Sequence, residues 1–554
     1  MAGTWQALKN QPTFNASTML LLTDGSVMCQ GSGARDWWKL TPDVNGDYVN
    51  GTWTQLASMA HSRLYYASAV LDDGRVLVAG GEYSDGGSEF NGVEIYDPNL
   101  DAWTTIPGPG WAQIGDAVSC VLRDGKLMLG YIDGTQTATY DPDMGSWSAG
   151  GVKDDASDEE TWTLLPDGTV LAVECSDIPK AEKYLPSSNT WVSAGTTPVP
   201  IAEASMSEIG PALLLPDGRV FCVGGTGHTA LYTPPANPLQ TGSWMQGPDF
   251  PQNPPGQLMK ANDAAGCLLP NGNVLCTAGI AGDVGFATPT SFFEYDPSAN
   301  TLTQVASPTN AGGVVYAGRL LLLPTGQVLF GAGSPAIEVY TPSGSPQASW
   351  KPSITACPSK IHIASTYTIN GRQLNGLSQA VSYGDDAQMA TNFPLVRLRH
   401  LGTGKVTYCQ TFDHSTMGVA TGTAVESTNF VVPWDAQLGA SDLCVVANGI
   451  SSDCVKVTVK PAVPRHLGHY EAWQWLIGSL ADGPLWALGP HGPIPIGPFN
   501  GRLAERAREA YAKMRQGVSE LQVIGREVGE LRAQTRSEAL PTKPSAARRR
   551  AVKV

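Results

Sequence analysis

The chain alternates short apolar runs with polar turns, and the alternation returns on a long period. In the first copy, Met19-Leu-Leu-Leu22 leads into Thr23-Asp-Gly25, and a second apolar run, Val27-Met-Cys29, ends in small residues. The signature comes back six more times. The turn glycines are Gly25, Gly74, Gly125, Gly168, Gly218, Gly272 and Gly326, 43 to 54 residues apart. Asp precedes the first five, Asn271 the sixth and Thr325 the seventh. Asp-Gly or Asn-Gly between two apolar runs is a strong hairpin signal, so each copy predicts a hairpin with a two-residue turn ending in Gly. A fixed period of this size marks a repeat array.

A second mark keeps the same period. After each hairpin stand Leu40-Thr-Pro42, Tyr96-Asp-Pro98, Tyr140-Asp-Pro142, Tyr184-Leu-Pro186, Tyr232-Thr-Pro234, Tyr295-Asp-Pro297 and Tyr340-Thr-Pro342. A Trp follows in six copies, at 53, 103, 147, 191, 244 and 350, with Leu302 in the sixth. Hairpin, small-residue pair, Tyr and Trp in that order resemble the kelch repeat, which predicts one four-stranded blade per copy. The fold class expected is therefore all-β, with a seven-bladed β-propeller over residues 1–350. The large rings fill the gap that widens between radially stacked blades. Gly80-Gly81 and Gly224-Gly225 supply the small pair, but the fourth copy has Glu174-Cys175 there. Residues 1–16 carry Trp5 and Leu8 at the spacing of Trp53 and Leu56, so this segment is expected to close blade seven and leave no open edge. Trp350 competes for the same place.

Beyond the repeats the pattern changes. Residues 351–460 hold about seven short strand-like runs, which suggest an immunoglobulin-like sandwich. Residues 461–499 are rich in Pro, Gly and Trp and read as an extended arm. Over 500–540, Tyr511, Met514, Val518, Leu521 and Val528 form one apolar stripe, which predicts a C-terminal helix. The helix either docks on its own chain or joins a protein partner or a second copy. Residues 541–554 form a basic end expected to be disordered.

Composition narrows the function. A net charge of −15 argues against nucleic acid. No apolar run is long enough for a membrane-spanning helix. The first residues lack a basic and then apolar leader, so a cytoplasmic chain, or a secreted one with its signal removed, is expected. Of ten cysteines, Cys29, Cys120, Cys222, Cys267 and Cys276 fall at apolar positions of the repeat and read as core filling. Cys444 and Cys454 flank Asn448-Gly449 and would bridge in an oxidising compartment.

Blade two (His61-Ser-Arg-Leu-Tyr65, Gly80-Gly81, Asn91-Gly92, Tyr96, Trp103), blade seven (Tyr316, Gly326, Tyr340) and Tyr383-Gly384 together resemble galactose oxidase and the copper radical oxidases. That resemblance implies a C-terminal sandwich, of the early-set kind, that sends a loop up the propeller channel. It also implies copper held by two tyrosines and two histidines, with a Tyr–Cys cross-link. Tyr65 and Tyr316 stand at the two tyrosine positions. Ala317 and Gln388 stand where the histidines belong, Tyr83 replaces the stacking tryptophan, and no cysteine lies near Asn15 or Ala16. Copper(II) prefers imidazole, so copper is not expected here. His414, in a sandwich loop, is the one histidine with a route to the channel.

The residues nine or ten before each turn glycine should line the channel mouth. They read Asn15, Tyr65, Asp116, Glu159, Glu208, Asp263 and Tyr316, with a carboxylate in four consecutive blades. Solvated loop ends are one reading of Asp116, Glu159, Glu208 and Asp263. The other is a ring that binds Ca2+ or a cationic ligand. The expectation is a non-catalytic binding or assembly protein that takes a cation, a carbohydrate or a protein partner. Two alternatives stay open: an oxidase of alcohols, aldehydes or sugars with a rebuilt site, and a hydrolase or lyase that uses the mouth carboxylates.

Overall fold

The computed structural model describes residues 3–83, 85, 89–252, 256, 258–280, 285–383 and 389–462, and the backbone of three later strands at 476–479, 484–489 and 492–498. The chain divides into two compact units, 1–462 and 463–554. The expected helix at 500–540, the basic end and Gln388 lie outside the described residues.

The first unit is all-β and contains the seven blades. Their innermost strands are Ala16–Leu21, Ala67–Val70, Ser119–Val121, Thr161–Leu164, Ala212–Leu214, Gly266–Leu268 and Arg319–Leu322. Each touches the next, and the seventh touches the first, so the ring closes. Blade seven takes its outer strand, Thr4–Ala7, from the start of the chain, paired antiparallel with Glu338–Thr341. Trp350 does not compete. It lies in a short 3-10 turn, Ala348–Trp350, with its ring against the Gly272 turn.

The turns differ from the two-residue form read from the sequence. Leu22 N–H donates to Ser26 O (2.8 Å) and Gly25 N–H to Leu22 O (2.9 Å), and the other six blades repeat this pair of bonds. Three residues therefore fill each loop, a turn followed by a left-handed residue. The seven glycines have φ of +75° to +92°, which explains why Gly recurs there. The preceding Asp accepts from the next-but-one N–H, as Asp24 does from Ser26 (2.9 Å) and Asp73 from Arg75 (2.9 Å).

Aromatic rings join neighbouring blades as expected. Trp53, Trp103, Trp147 and Trp244 donate their indole N–H to Asn10, Ala57, Pro107 and Ala194 carbonyls, and Trp5 does the same to Ala306 (2.6 Å). The five cysteines read as core filling are buried.

Strands between Ser353 and Lys460 form a second β-region with its own core of Ile369, Val396, Leu398, Phe430, Leu443 and Val457. Cys444 and Cys454 are disulfide-bonded. This region covers the turn end of the propeller: Thr411 N–H donates to Thr23 O (3.2 Å), His414 N–H to Asp72 O (3.3 Å) and Met417 N–H to Arg123 O (3.0 Å). From it a loop rises inside the ring, and Val381–Ser382 pairs with Gly266 and Cys267 as a fifth strand of blade six.

In the second unit, Leu476–Ser479, Pro484–Gly489 and Gly492–Pro498 form a three-stranded antiparallel sheet where the sequence suggested an extended arm. Pro493, Pro495 and Pro498 lie in the edge strand Gly492–Pro498, where a missing N–H costs least.

Candidate functional site at the propeller mouth

Because the turns face the second β-region, the opposite strand ends open on the other face. Tyr65, Glu159 and Asp263 each precede their turn glycine by nine residues, and each has a left-handed φ, +48°, +55° and +51°. Non-glycine residues adopt this conformation at a cost, and it concentrates at functional sites.

One side of the mouth is aromatic. The Tyr65 ring lies 6.3 Å from Tyr83 and 6.3 Å from Tyr316, edge to face in both cases. Phe286 packs on Tyr316 at 4.7 Å. The rising loop supports this side from within: Tyr383 Oη donates to Tyr316 O (2.7 Å), and Arg319 lies over the Tyr383 ring at 3.7 Å. Arg319 also donates to Tyr316 O, so one backbone carbonyl carries two bonds that fix Tyr316.

The other side is acidic. Glu159, Glu208 and Asp263, from blades four, five and six, each offer an oxygen within 4.8 Å of the other two. Glu208 is buried and its two neighbours are half-buried. Asp116 does not fall in this group. It belongs to a second acidic arc over blades two to four, which raises the pKa of Tyr83 through Glu82 first and Asp116 less. In that arc Glu89 is pushed up to about 7 by burial and by Glu82, Asp133 and Asp158. Asp158 rises by burial, Asp133 and Glu82. The sequence reading missed Glu82, Glu89 and Asp133. They lie in loops past the second strand of their blades, where no repeated spacing flags them.

Copper does not fit these residues. Ala317 closes a 3-10 turn, Val315–Ala317, and brings a methyl group where a ligand would stand. The five described histidines have partners elsewhere. His61 pairs with Asp85 (3.1 Å) and His228 with Asp249 (2.8 Å). His362 faces Pro461 O, and His400 faces Thr403. His414 is buried at the turn end, 2.8 Å from Thr428 Oγ1, and does not enter the channel as the sequence suggested. Near Asn15, Ala16 is buried and bridges Ser334.

A cleft of about 930 Å3 opens at the turn end, lined by Asp124, Asp167, Thr416 and Glu426. It is large, but among the described residues no carboxylate trio converges in it.

The profile of the kelch motif matches residues 63–110. A solved fungal alcohol oxidase of the AA5 family, in complex with copper, aligns with 83% of this chain and 100% of its own at a TM-score of 0.50 and 14% identity. The chain is a kelch propeller of galactose-oxidase-like fold. Among curated proteins it is similar to an F-box/kelch-repeat protein of Arabidopsis thaliana, 31% identical over 125 residues, 21% of this chain and 28% of the relative. It is similar to the kelch-like protein terF of Aspergillus terreus, 30% identical over 125 residues, 22% of this chain and 26% of the relative. Galactose oxidase of Gibberella zeae is 39% identical over 61 residues, 11% of this chain and 9% of the relative. The chain thus spans at most 28% of the length of these curated relatives.

Proposed function

We propose that this galactose-oxidase-like propeller is a non-catalytic binding protein that takes a hard cation such as Ca2+, or the cationic group of a ligand, at its mouth. The observation that carries the reading is the convergence of Glu159, Glu208 and Asp263 from three successive blades. Like charges held this close repel, and a bound cation relieves the repulsion. Oxygen-only donors suit a hard ion. The neighbouring rings of Tyr65, Tyr83 and Tyr316 offer faces on which a cation or a sugar can rest. We read residues 351–460 as an immunoglobulin-like sandwich whose loop supplies the floor of the mouth.

The test is calorimetric titration of Ca2+ into wild type and the double variant Glu208→Gln with Asp263→Asn. Wild type should bind, and the loss of two ligands should weaken this site at least a hundredfold. An ion at 100 times its dissociation constant contributes about 2.7 kcal/mol of stability, so the variant should also lose most of its Ca2+-dependent rise in Tm. Equal affinity in both proteins would return the carboxylates to solvated loop ends.

The Tyr65–Tyr316 pair and the AA5 neighbour favour a second reading, an oxidase with a rebuilt site. It requires peroxide release from an alcohol, aldehyde or sugar after copper loading. Inactivity together with unchanged intact mass would exclude it.

A further inference from the structure

Blade four breaks the repeat at Glu174-Cys175, and the break marks a second cluster, separate from the mouth. At the equivalent place in blade two, a Cβ on Gly80 would meet Gly115 O at 2.4 Å, so that blade has no room for a side chain. Glu174 does have one, and the residue is 1% exposed. Lys153 lies among the same carboxylates. Its ammonium is 3.0 Å from Asp155, 2.5 Å from Glu160 and 3.2 Å from Glu182, with the Trp191 ring over it at 5.3 Å.

Most carboxylate oxygens in the cluster have donors. Trp162 Nε1 donates to Glu160 (2.8 Å), Asp177 N–H to Asp155 (3.2 Å) and Asp154 N–H to both oxygens of Glu182 (3.2 Å). Glu174 differs: among the described residues neither of its oxygens has a hydrogen-bond partner. Yet one of them lies within 4.8 Å of oxygens from Asp155 and Glu182.

The repeat accounts for Glu182 but not for Glu174. Glu94, Glu182 and Glu338 each stand two residues before the repeat tyrosine, and each accepts from a backbone N–H of the segment entering its blade, at Ala60, Asp154 and Thr309. Blade two balances Glu94 with Arg63, one charge against one. Blade four sets four carboxylates (Asp155, Glu160, Glu174, Glu182) against one ammonium. Buried charge without a counter-charge is costly. Burial and Asp155 hold the Glu174 carboxyl up at about 8, so it is expensive to ionise alone.

We propose that Asp155, Glu174 and Glu182 form a second cation site, suited to a hard divalent ion such as Ca2+. Ca2+ takes oxygen ligands at about 2.3–2.6 Å, so two ligands of one ion stand no more than about 5 Å apart. The observed spacing meets that limit without moving the backbone. Lys153 keeps Glu160 and the outer oxygens engaged, and Glu174 turns its open oxygens to the ion. The site adjoins the mouth through the chain, because Glu160 enters this cluster while Glu159 enters the other. The Cys175 thiol donates to Glu159 O (2.9 Å) and ties the two together.

The test uses the full chain in the Glu208→Gln with Asp263→Asn background, so that mouth binding is weakened at the outset. Calorimetry with CaCl2 should show one remaining site, and adding Glu174→Gln should weaken it at least tenfold. Adding Glu174→Gly instead, which restores the glycine of blades one, two and five, should give the same loss with an unchanged circular dichroism spectrum. Absence of Ca2+ binding in the folded mouth variant, or undiminished binding with Glu174→Gln, would overturn the proposal. If the mouth binds nothing, wild type shows a single site that Glu174→Gln removes, so the two readings fail separately.

Discussion

At the scale of single residues, Arg63 and Glu94 show how one buried charge pair positions the mouth. Their side chains are 0% and 1% exposed and 2.6 Å apart. Arg63 also donates to Gly80 O (2.7 Å) and Gly92 O (3.0 Å), and Glu94 accepts from Ala60 N–H (2.7 Å). Tyr65 follows two residues later, so its left-handed backbone is anchored by this guanidinium. Removing one partner of a buried pair leaves the other charge uncompensated, at about 3–5 kcal/mol. Glu94→Gln should therefore lower the unfolding free energy measured in urea by that order. Glu338 is the equivalent residue of blade seven, and among the described residues it accepts from the neutral Thr309 N–H and hydroxyl. Glu338→Gln should cost less, about 1–2 kcal/mol. Equal losses at both positions would mean that the charge of Arg63 matters little. The contrast also explains a limit of sequence reading. Glu94 and Glu338 share a spacing from the repeat tyrosine, but their partners, Arg63 and Thr309, come from inter-blade segments that share none.

At the scale of elements, the strand Thr4–Ala7 decides whether the ring is closed. Trp5 packs edge-on against Phe292 (5.0 Å) and Phe330 (5.9 Å), tilts against Tyr340 (4.9 Å) and hydrogen-bonds Ala306. Burying a Trp fully is worth about 3–5 kcal/mol, and Trp5 is partly exposed, so Trp5→Ala should cost about 2–3 kcal/mol. Hydrogen exchange should rise first in Glu338–Thr341, its strand partner. Protection there that does not change on Trp5→Ala would show that the closing strand is held by other contacts. This closure was legible because Trp5 and Leu8 keep the spacing of a repeat, as were the blades, their Tyr–Trp pairs and the end at which the mouth opens. The three-residue turns were not, because Asp-Gly suits more than one hairpin loop. The split of the mouth carboxylates was not legible either. Asp116 and Glu159 both stand nine residues before their turn glycine, so the spacing does not separate Asp116, which lies with the blade-two acids, from the trio. Glu174 gave the one warning of the blade-four cluster, as a carboxylate in place of glycine. Lys153, its counter-charge, lies outside every repeated position.

At the scale of the whole molecule, the seam between the propeller turns and the second β-region should govern the response to pH. A buried and a half-buried group meet there. His414 stacks beside Phe393 (6.3 Å between ring centroids), and burial lowers its pKa from 6.5 to about 3. Its backbone N–H donates to Asp72 O. Asp72 is pushed up from 3.8 to about 7 by burial, with Asp73, Asp143 and Asp413 adding to the effect. The signs are opposite. His414 is held neutral in the fold while the unfolded chain takes up a proton below 6.5, so its contribution is present above 6.5 and lost as pH falls toward 3. Asp72 is held protonated in the fold, so its contribution is present below 3.8 and lost as pH rises through 7. From pH 6.5 to 8 only Asp72 of this pair still titrates, and it lowers stability. Asp72→Asn keeps the shape, removes the titration and should flatten the decline in Tm between pH 6.5 and 8, measured by calorimetry in chelator so that no metal contributes. His414→Gln should flatten the opposite decline between pH 6 and 4. Identical slopes in wild type and Asp72→Asn over the upper window would mean that the seam does not set the alkaline limit of this fold.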